Sequence, residues 1–281
     1  MVDLGISLGM IGLVLTMLIA YGTRAYLHGR ARHARTDADG GSVFLNKATM
    51  EMVYWVLNPL IDFIASLRIT PNMVTLFSLV PAAGAGVAIA FGWFGLASAL
   101  STLSTFCDIL DGLLARRLGV GSEAGEVIDA AADRYGEFFM FGGLIYYYRG
   151  HDQVLFLVLA ALVGGFMVSY TTAKAEAMGV PAPRGAMRRS ERAAYLIIGC
   201  GFTPPAQALF AGSPSLALRD LPIILAITIV AVVGNISVLQ RLSSIIALLR
   251  AREPAKIEPA PLEPFDPDAI ATKPDAHVGS A

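Results

Sequence analysis

Asp108, Asp111, Asp129 and Asp133 crowd into one polar stretch between apolar runs long enough to cross a bilayer. If both halves of that stretch are helical, Asp108 and Asp111, three apart, share a face, and so do Asp129 and Asp133, four apart. Between the halves, residues 117–124 (RLGVGSEA) hold two glycines and a serine, the composition of a turn between antiparallel helices. Two faces with two carboxylates each then converge at one depth. Four like charges in a poorly hydrated site require neutralising cations. Ligands that are all oxygen suit hard divalent ions such as Mg2+, Mn2+ or Ca2+, not zinc. Two such ions imply phosphoryl or related transfer, because they hold a pyrophosphate and activate an attacking oxygen. Intramembrane aspartates also serve proton pathways and ion sites. A cation-coupled membrane transporter is therefore the reading from a different class.

More than the aspartates is patterned here. Asp108-x2-Asp111-Gly112-x2-Ala115-Arg116-x8-Gly125-x3-Asp129-x3-Asp133 resembles the complete signature of the CDP-alcohol phosphotransferase family, with all eight fixed positions at the expected spacing. The resemblance implies an all-α integral membrane protein built on a six-helix bundle. It implies a phosphatidyltransferase that moves the phosphatidyl group of CDP-diacylglycerol to a small alcohol and releases CMP. Mg2+ or Mn2+, two ions, would be the cofactors, on Asp108, Asp111 and Asp129. Asp133 would bridge to the metal site and take the proton of the acceptor hydroxyl. A carboxylate beside cations is a weak base, so the metal must acidify that hydroxyl as well. Family members are commonly homodimers, and no nucleic-acid partner is expected.

Around the aspartates, Gly112 and Gly125 carry no side chain and Ala115 a small one, so a nucleotide can lie close to the backbone. Arg116 is placed to pair with phosphate through its planar fork. Each small residue alone would also suit ordinary helix packing; the spacing relative to the aspartates favours CDP binding. Asn72 and Thr75 stand in Pro71-Asn72-Met73-Val74-Thr75, which is similar to a family pattern that places polar groups near the nucleotide. Plain helix capping by Thr70 or Asn72 is the competing reading.

For the acceptor, the run from Ser169 to Glu176 (SYTTAKAE) and the pair Glu191-Arg192 are similar to family members that use phosphorylated acceptors. Lys174, Arg189 and Arg192 would form a basic pocket for an acceptor phosphate. As anchors facing lipid head groups they would serve topology instead. Free inositol or serine needs fewer cations, so inositol phosphate is expected first and glycerol 3-phosphate second.

The rest of the chain must position these groups. Of 281 residues 55% are hydrophobic and 15% charged, where soluble domains carry about 25% charge, so this is a membrane composition. The two cysteines, Cys107 and Cys200, lie inside apolar runs and make neither a disulfide framework nor a zinc site. Residues 1–35 read as an N-terminal transmembrane anchor, Leu4 to Thr23, with a basic flank of Arg24, Arg30, Arg32 and Arg35. A signal peptide would carry its basic residues before the apolar run and a small-residue cleavage site after it. Residues 36–68 read as a linker, then an amphipathic interfacial helix from Lys47 to Leu67 bent near Pro59, with Met50, Val53, Tyr54, Leu57, Leu60, Ile61 and Ile64 at helical spacing. Residues 69–252 hold six spans: 73–93, 95–116, 125–148, 154–177, 193–210 and 222–248. Their many Gly and Ala residues favour close helix packing. Residues 253–281 read as a disordered Pro-rich acidic tail.

Alternating these spans from an outside N-terminus puts 18 of the 21 Lys and Arg residues on the cytoplasmic side, with Arg149 and Arg219 outside and Arg134 within a span. The expected location is therefore a bacterial inner membrane, multi-pass, with the aspartates reachable from the cytoplasm.

Overall fold

The structure, a computed structural model, describes residues 1–28, 47–181 and 185–252. All regular elements among the described residues are helices. They are α1 (Val2–His28), α2 (Lys47–Ser66), α3 (Pro71–Ala90), α4 (Phe94–Leu118), α5 (Glu123–Tyr147), α6 (Asp152–Ala177), α7 (Arg189–Leu209), α8 (Leu216–Arg219) and α9 (Leu221–Arg252). The linker and the Pro-rich tail read from the sequence lie outside the described residues.

Local chemistry starts and stops these helices where the hydropathy pattern only blurs them. Thr70 caps α3, its hydroxyl accepting from the Met73 N–H at 3.4 Å, with Pro71 in the first turn. Capping thus falls to Thr70, leaving the Asn72 side chain for other use. Gly119, left-handed at φ 66°, ends α4. Ser122 caps α5 by accepting from the Gly125 N–H at 3.1 Å, so the turn expected between the two motif halves is a four-residue connection, 119–122. The start of α7 is set by Glu191, whose carboxylate accepts from the Arg188 N–H at 2.8 Å. That cap begins the helix four residues ahead of the apolar run and so takes Arg189 and Arg192 into its first turn.

α3 packs against both α4 and α5, α9 packs against α6 and α7, and α4 meets α7 between these two groups. Ile89, Phe94, Phe141, Val158, Cys200 and Ile227 bring all six helices into one buried core at the end of the bundle away from the aspartates. At the same end, Asp220 accepts from Tyr148 Oη at 3.2 Å and Gln207 Nε2 at 2.8 Å. Glycine sets the α3–α5 distance: a Cβ on Gly86 would strike the Phe139 carbonyl, and one on Gly143 the Gly86 carbonyl. The backbones touch there, as close-packed membrane helices do.

Among the described residues, four helices, α1, α3, α6 and α9, are long and apolar enough to cross a membrane. Those of α4, α5 and α7, at 25, 25 and 21 residues, match them in length but carry the polar groups described below. Leu76, Phe77, Val80, Phe156 and Val163 form an exposed apolar exterior, as an integral membrane protein requires.

The N-terminal helix is joined to the bundle as well as adjacent to it. The Asp3 carboxylate accepts from the backbone N–H groups of Gly95 (3.1 Å) and Leu96 (2.9 Å), at the N-terminus of α4, where Trp93 offers no side-chain cap. Ser7 Oγ donates to the Gly201 carbonyl, and at the other end Tyr21 Oη donates to Glu51 of α2 at 2.9 Å. In α2, Leu57 and Ile61 are buried against Val74, Leu110 and Leu114, as members of the apolar set read from the sequence, whereas Leu60 of the same set is exposed beside Phe63 because it turns away from α3 and α4. Replacing Asp3 with alanine is expected to cost about 1 kcal/mol of stability, the usual loss for a helix cap. A lower melting temperature of the purified chain in detergent would register it, and an unchanged one would mean that the Asp3 cap adds nothing to the bundle's stability.

Candidate active site

α4 and α5 run antiparallel from their short connection, so Asp108 and Asp111 of one face Asp129 of the other. One carboxylate oxygen from each of the three lies within 4.8 Å of the other two. Asp111 is buried, and Thr75 of α3 donates to its Oδ2 at 2.5 Å. Asp129 Oδ1 is buried and has no hydrogen-bond partner among the described residues. A buried, unpartnered carboxylate oxygen beside two more carboxylates fits a divalent cation, since like charges so close are costly without one.

Asp133 is not in this trio. One turn further along α5, it pairs with Arg189 of α7, and the same guanidinium lies 3.5 Å from Asp108. Arg189 therefore bridges Asp133 to Asp108 of the trio.

Two cavities flank this cluster, one lined by Asp111 and Asp129 and the other by Asp108 and Asp133. The first, about 690 Å³ and open to solvent, lies among α3, α4 and α5. Asn72, Thr75, Asp111, Gly112, Ala115, Arg116, Gly125 and Asp129 line it, so every residue expected to bind CDP is on its wall except Asp108. A Cβ on Gly112 would sit 3.4 Å from Nη1 of Arg116, whose guanidinium folds back over that position, and one on Gly125 would sit 3.2 Å from Ser122 Oγ and 3.3 Å from Asn72 Oδ1.

The second cavity lies among α3, α4, α5 and α7, and Asp108, Asp133, Glu137, Arg189 and Arg192 supply its charge. Arg192 is 1% exposed; its Nε donates to Glu137 at 3.2 Å and its Nη2 to the same oxygen, while Nη1 is buried without a partner among the described residues. Arg134, the cation left inside a span by the charge count, is compensated there by Glu137 at 2.7 Å and Ser169 at 2.5 Å. Lys174 is exposed on the last turn of α6 and lines neither cavity.

Two residues here escaped the sequence reading. Glu137 continues the Asp129, Asp133 series at the same four-residue spacing, a signal that was available. Arg241, counted with the cytoplasmic cations, is buried in α9; its Nη1 donates to Thr172 at 2.7 Å and its Nε has no partner among the described residues. The available signal was a cation within an apolar run.

The fold and the cluster together define an all-α membrane protein with a cluster of three carboxylates, suited to a divalent cation, at one end of its bundle. Residues 68–233 match the CDP-alcohol phosphatidyltransferase family, and the chain belongs to that family of transferases. It is 33% identical over 202 residues to the phosphatidylinositol phosphate synthase of Cutibacterium acnes, a match covering 70% of this chain and 94% of that one. Among solved structures it resembles the Mycobacterium tuberculosis phosphatidylinositol phosphate synthase in complex with manganese and citrate. The TM-score is 0.58 at 25% identity, over 67% of this chain and 88% of that one. The same enzyme with CDP-DAG bound aligns with TM-score 0.57 at 25% identity, over 66% and 92% of the two chains.

Proposed function

We propose that the chain transfers the phosphatidyl group of CDP-diacylglycerol to an inositol phosphate and releases CMP. The observation that carries this reading is the pair of cavities flanking the aspartate cluster, one lined by Asp111 and Asp129 and the other by Asp108 and Asp133. One has a carboxylate cluster and small residues beside it, and the other presents buried guanidinium N–H groups. The relatives are named for phosphatidylinositol phosphate synthesis, and one was solved with CDP-DAG. Both agree with the assignment.

In this reading Asn72, Thr75, Gly112, Ala115, Arg116 and Gly125 form the CDP wall, and Asp108, Asp111 and Asp129 hold Mg2+ or Mn2+, two ions. When bound, the metal neutralises the pyrophosphate and lowers the pKa of the attacking hydroxyl. The acceptor oxygen forms a bond to the phosphorus that carries the diacylglycerol, and the bond from that phosphorus to CMP breaks. Asp133 takes the hydroxyl proton. Arg189 and Arg192, with Arg241 behind them, are assigned to the acceptor phosphate, for which a guanidinium fork is suited; Lys174, which lines neither cavity, is left out of that pocket. An acceptor phosphate that engages Arg189 would relieve its pairing with Asp133 and leave that carboxylate for the hydroxyl. Arg116 and Arg117 end α4 at this end of the bundle, and the excess of basic residues there supports a site facing the cytoplasm.

The test is CMP release by the purified chain in detergent with CDP-diacylglycerol and Mg2+, with inositol 1-phosphate, glycerol 3-phosphate, inositol and serine in separate reactions. Release with inositol 1-phosphate, lost in EDTA and restored by metal, is expected. Release only with glycerol 3-phosphate would move the assignment to phosphatidylglycerophosphate synthesis. Release only with serine would refute the basic acceptor pocket.

A further inference from the structure

Asp129, Asp133 and Glu137 succeed one another at four-residue spacing on one face of α5, and each meets a different partner. Asp129 belongs to the carboxylate trio, Asp133 takes Arg189, and Glu137 takes Arg192. Arg189 and Arg192 are three apart on α7, so α5 and α7 are zipped by two ion pairs in a fixed register. The deeper pair is the more enclosed. The Glu137 side chain is 13% exposed and that of Arg192 1%. Both Glu137 oxygens are used: Oε1 accepts from Nε and Nη2 of Arg192, and Oε2 accepts from Nη1 of Arg134. That grip leaves one edge of the Arg192 fork, Nη1, buried and without a partner among the described residues. Gly165 of α6 provides the room: a Cβ there would lie 3.3 Å from Nε and 3.8 Å from Cζ and Nη2 of Arg192.

We infer that Glu137 is a positioning residue for the acceptor site. It fixes the Arg192 guanidinium so that Nη1 faces the acceptor phosphate, and it keeps that cation away from Asp133. This rests on the reading of a phosphorylated acceptor given above. The physical reason is charge matching. A guanidinium sealed from water must keep a carboxylate, and without Glu137 the next one along the same face is Asp133. Arg192 would then leave the phosphate and crowd the group assigned to take the proton. A pair that merely ties α5 to α7 would have no such directional consequence, because its loss would loosen the donor and acceptor sites together.

The experiment uses the full chain in detergent, with Glu137→Gln, Glu137→Asp and Gly165→Ala compared with wild type for CMP release and thermal melting. Glu137→Gln is expected to raise the KM for inositol 1-phosphate at least about tenfold, with the KM for CDP-diacylglycerol within about twofold. Glu137→Asp, which keeps the charge, should recover part of that loss. Gly165→Ala, which crowds the fork without removing a charge, should raise the same KM at a wild-type melting temperature and decides the matter if Glu137→Gln does not fold. An unchanged acceptor KM in the folded variants overturns the inference, as does a parallel rise in both KM values with a lowered melting temperature. Wild-type chain that releases CMP only with unphosphorylated alcohols would overturn the underlying reading, and this inference with it; wild-type activity on inositol 1-phosphate confines any failure to Glu137.

Discussion

Replacing Asp133 with asparagine is expected to lower CMP release by about 10²- to 10⁴-fold, the usual contribution of a positioned acid–base group. Asparagine has nearly the same shape, so the packing of α5 against α7 is kept. What is lost is a site for the hydroxyl proton and the charge that balances Arg189. Asp133 lies outside the trio whose oxygens converge, so CDP binding in the presence of metal should survive, and this separates its role from that of a ligand. The measurement pairs turnover with CDP binding on the same preparation. Wild-type turnover would remove Asp133 from the chemistry, and joint loss of turnover and CDP binding would move it among the ligands.

Asp129→Asn should act differently. Groups that merely orient a ligand cost about 10- to 100-fold in metal affinity when removed, and a ligand itself should cost at least the upper end of that range. Asp129 Oδ1 is buried without a partner among the described residues, so the amide would put a dipole where the cluster needs a full negative charge. The metal concentration that half-activates CMP release is therefore expected to rise by about 100-fold or more, with turnover partly recovered at saturating metal. An activation curve superimposable on wild type would rule out Asp129 as a ligand. The contrast is informative: Asp133→Asn should not be rescued by metal, and Asp129→Asn should be.

These two residues also mark how far the sequence can be read. Asp129 and Asp133 are four apart, and that a helix puts them on one face is a local fact visible in the string of residues. Their different partners are not local. Asp133 meets Arg189 because α7 starts at Arg189 and packs beside the motif hairpin, and the start depends on a cap that Glu191 makes with the Arg188 N–H. A hydropathy window sees only the apolar run that follows. Lys174 and Arg192 looked alike as basic residues beside a similar motif, yet one is exposed on a last helical turn and the other is 1% exposed. Side-chain type carries charge, whereas burial is decided by which helix lies alongside.

By itself the sequence determined the helical class, the membrane composition, the carboxylate spacing and the family. All of these rest on periodicity and short-range pattern, which survive without tertiary contacts. Only the tertiary structure decided that Asp3 caps α4, that Glu137 grips Arg192 and that Arg241 is buried beside Thr172. Each of those pairings joins residues more than fifty positions apart. It exists because helices that cannot leave polar groups in lipid must match them with one another, and the chain order does not say which helix will supply the match.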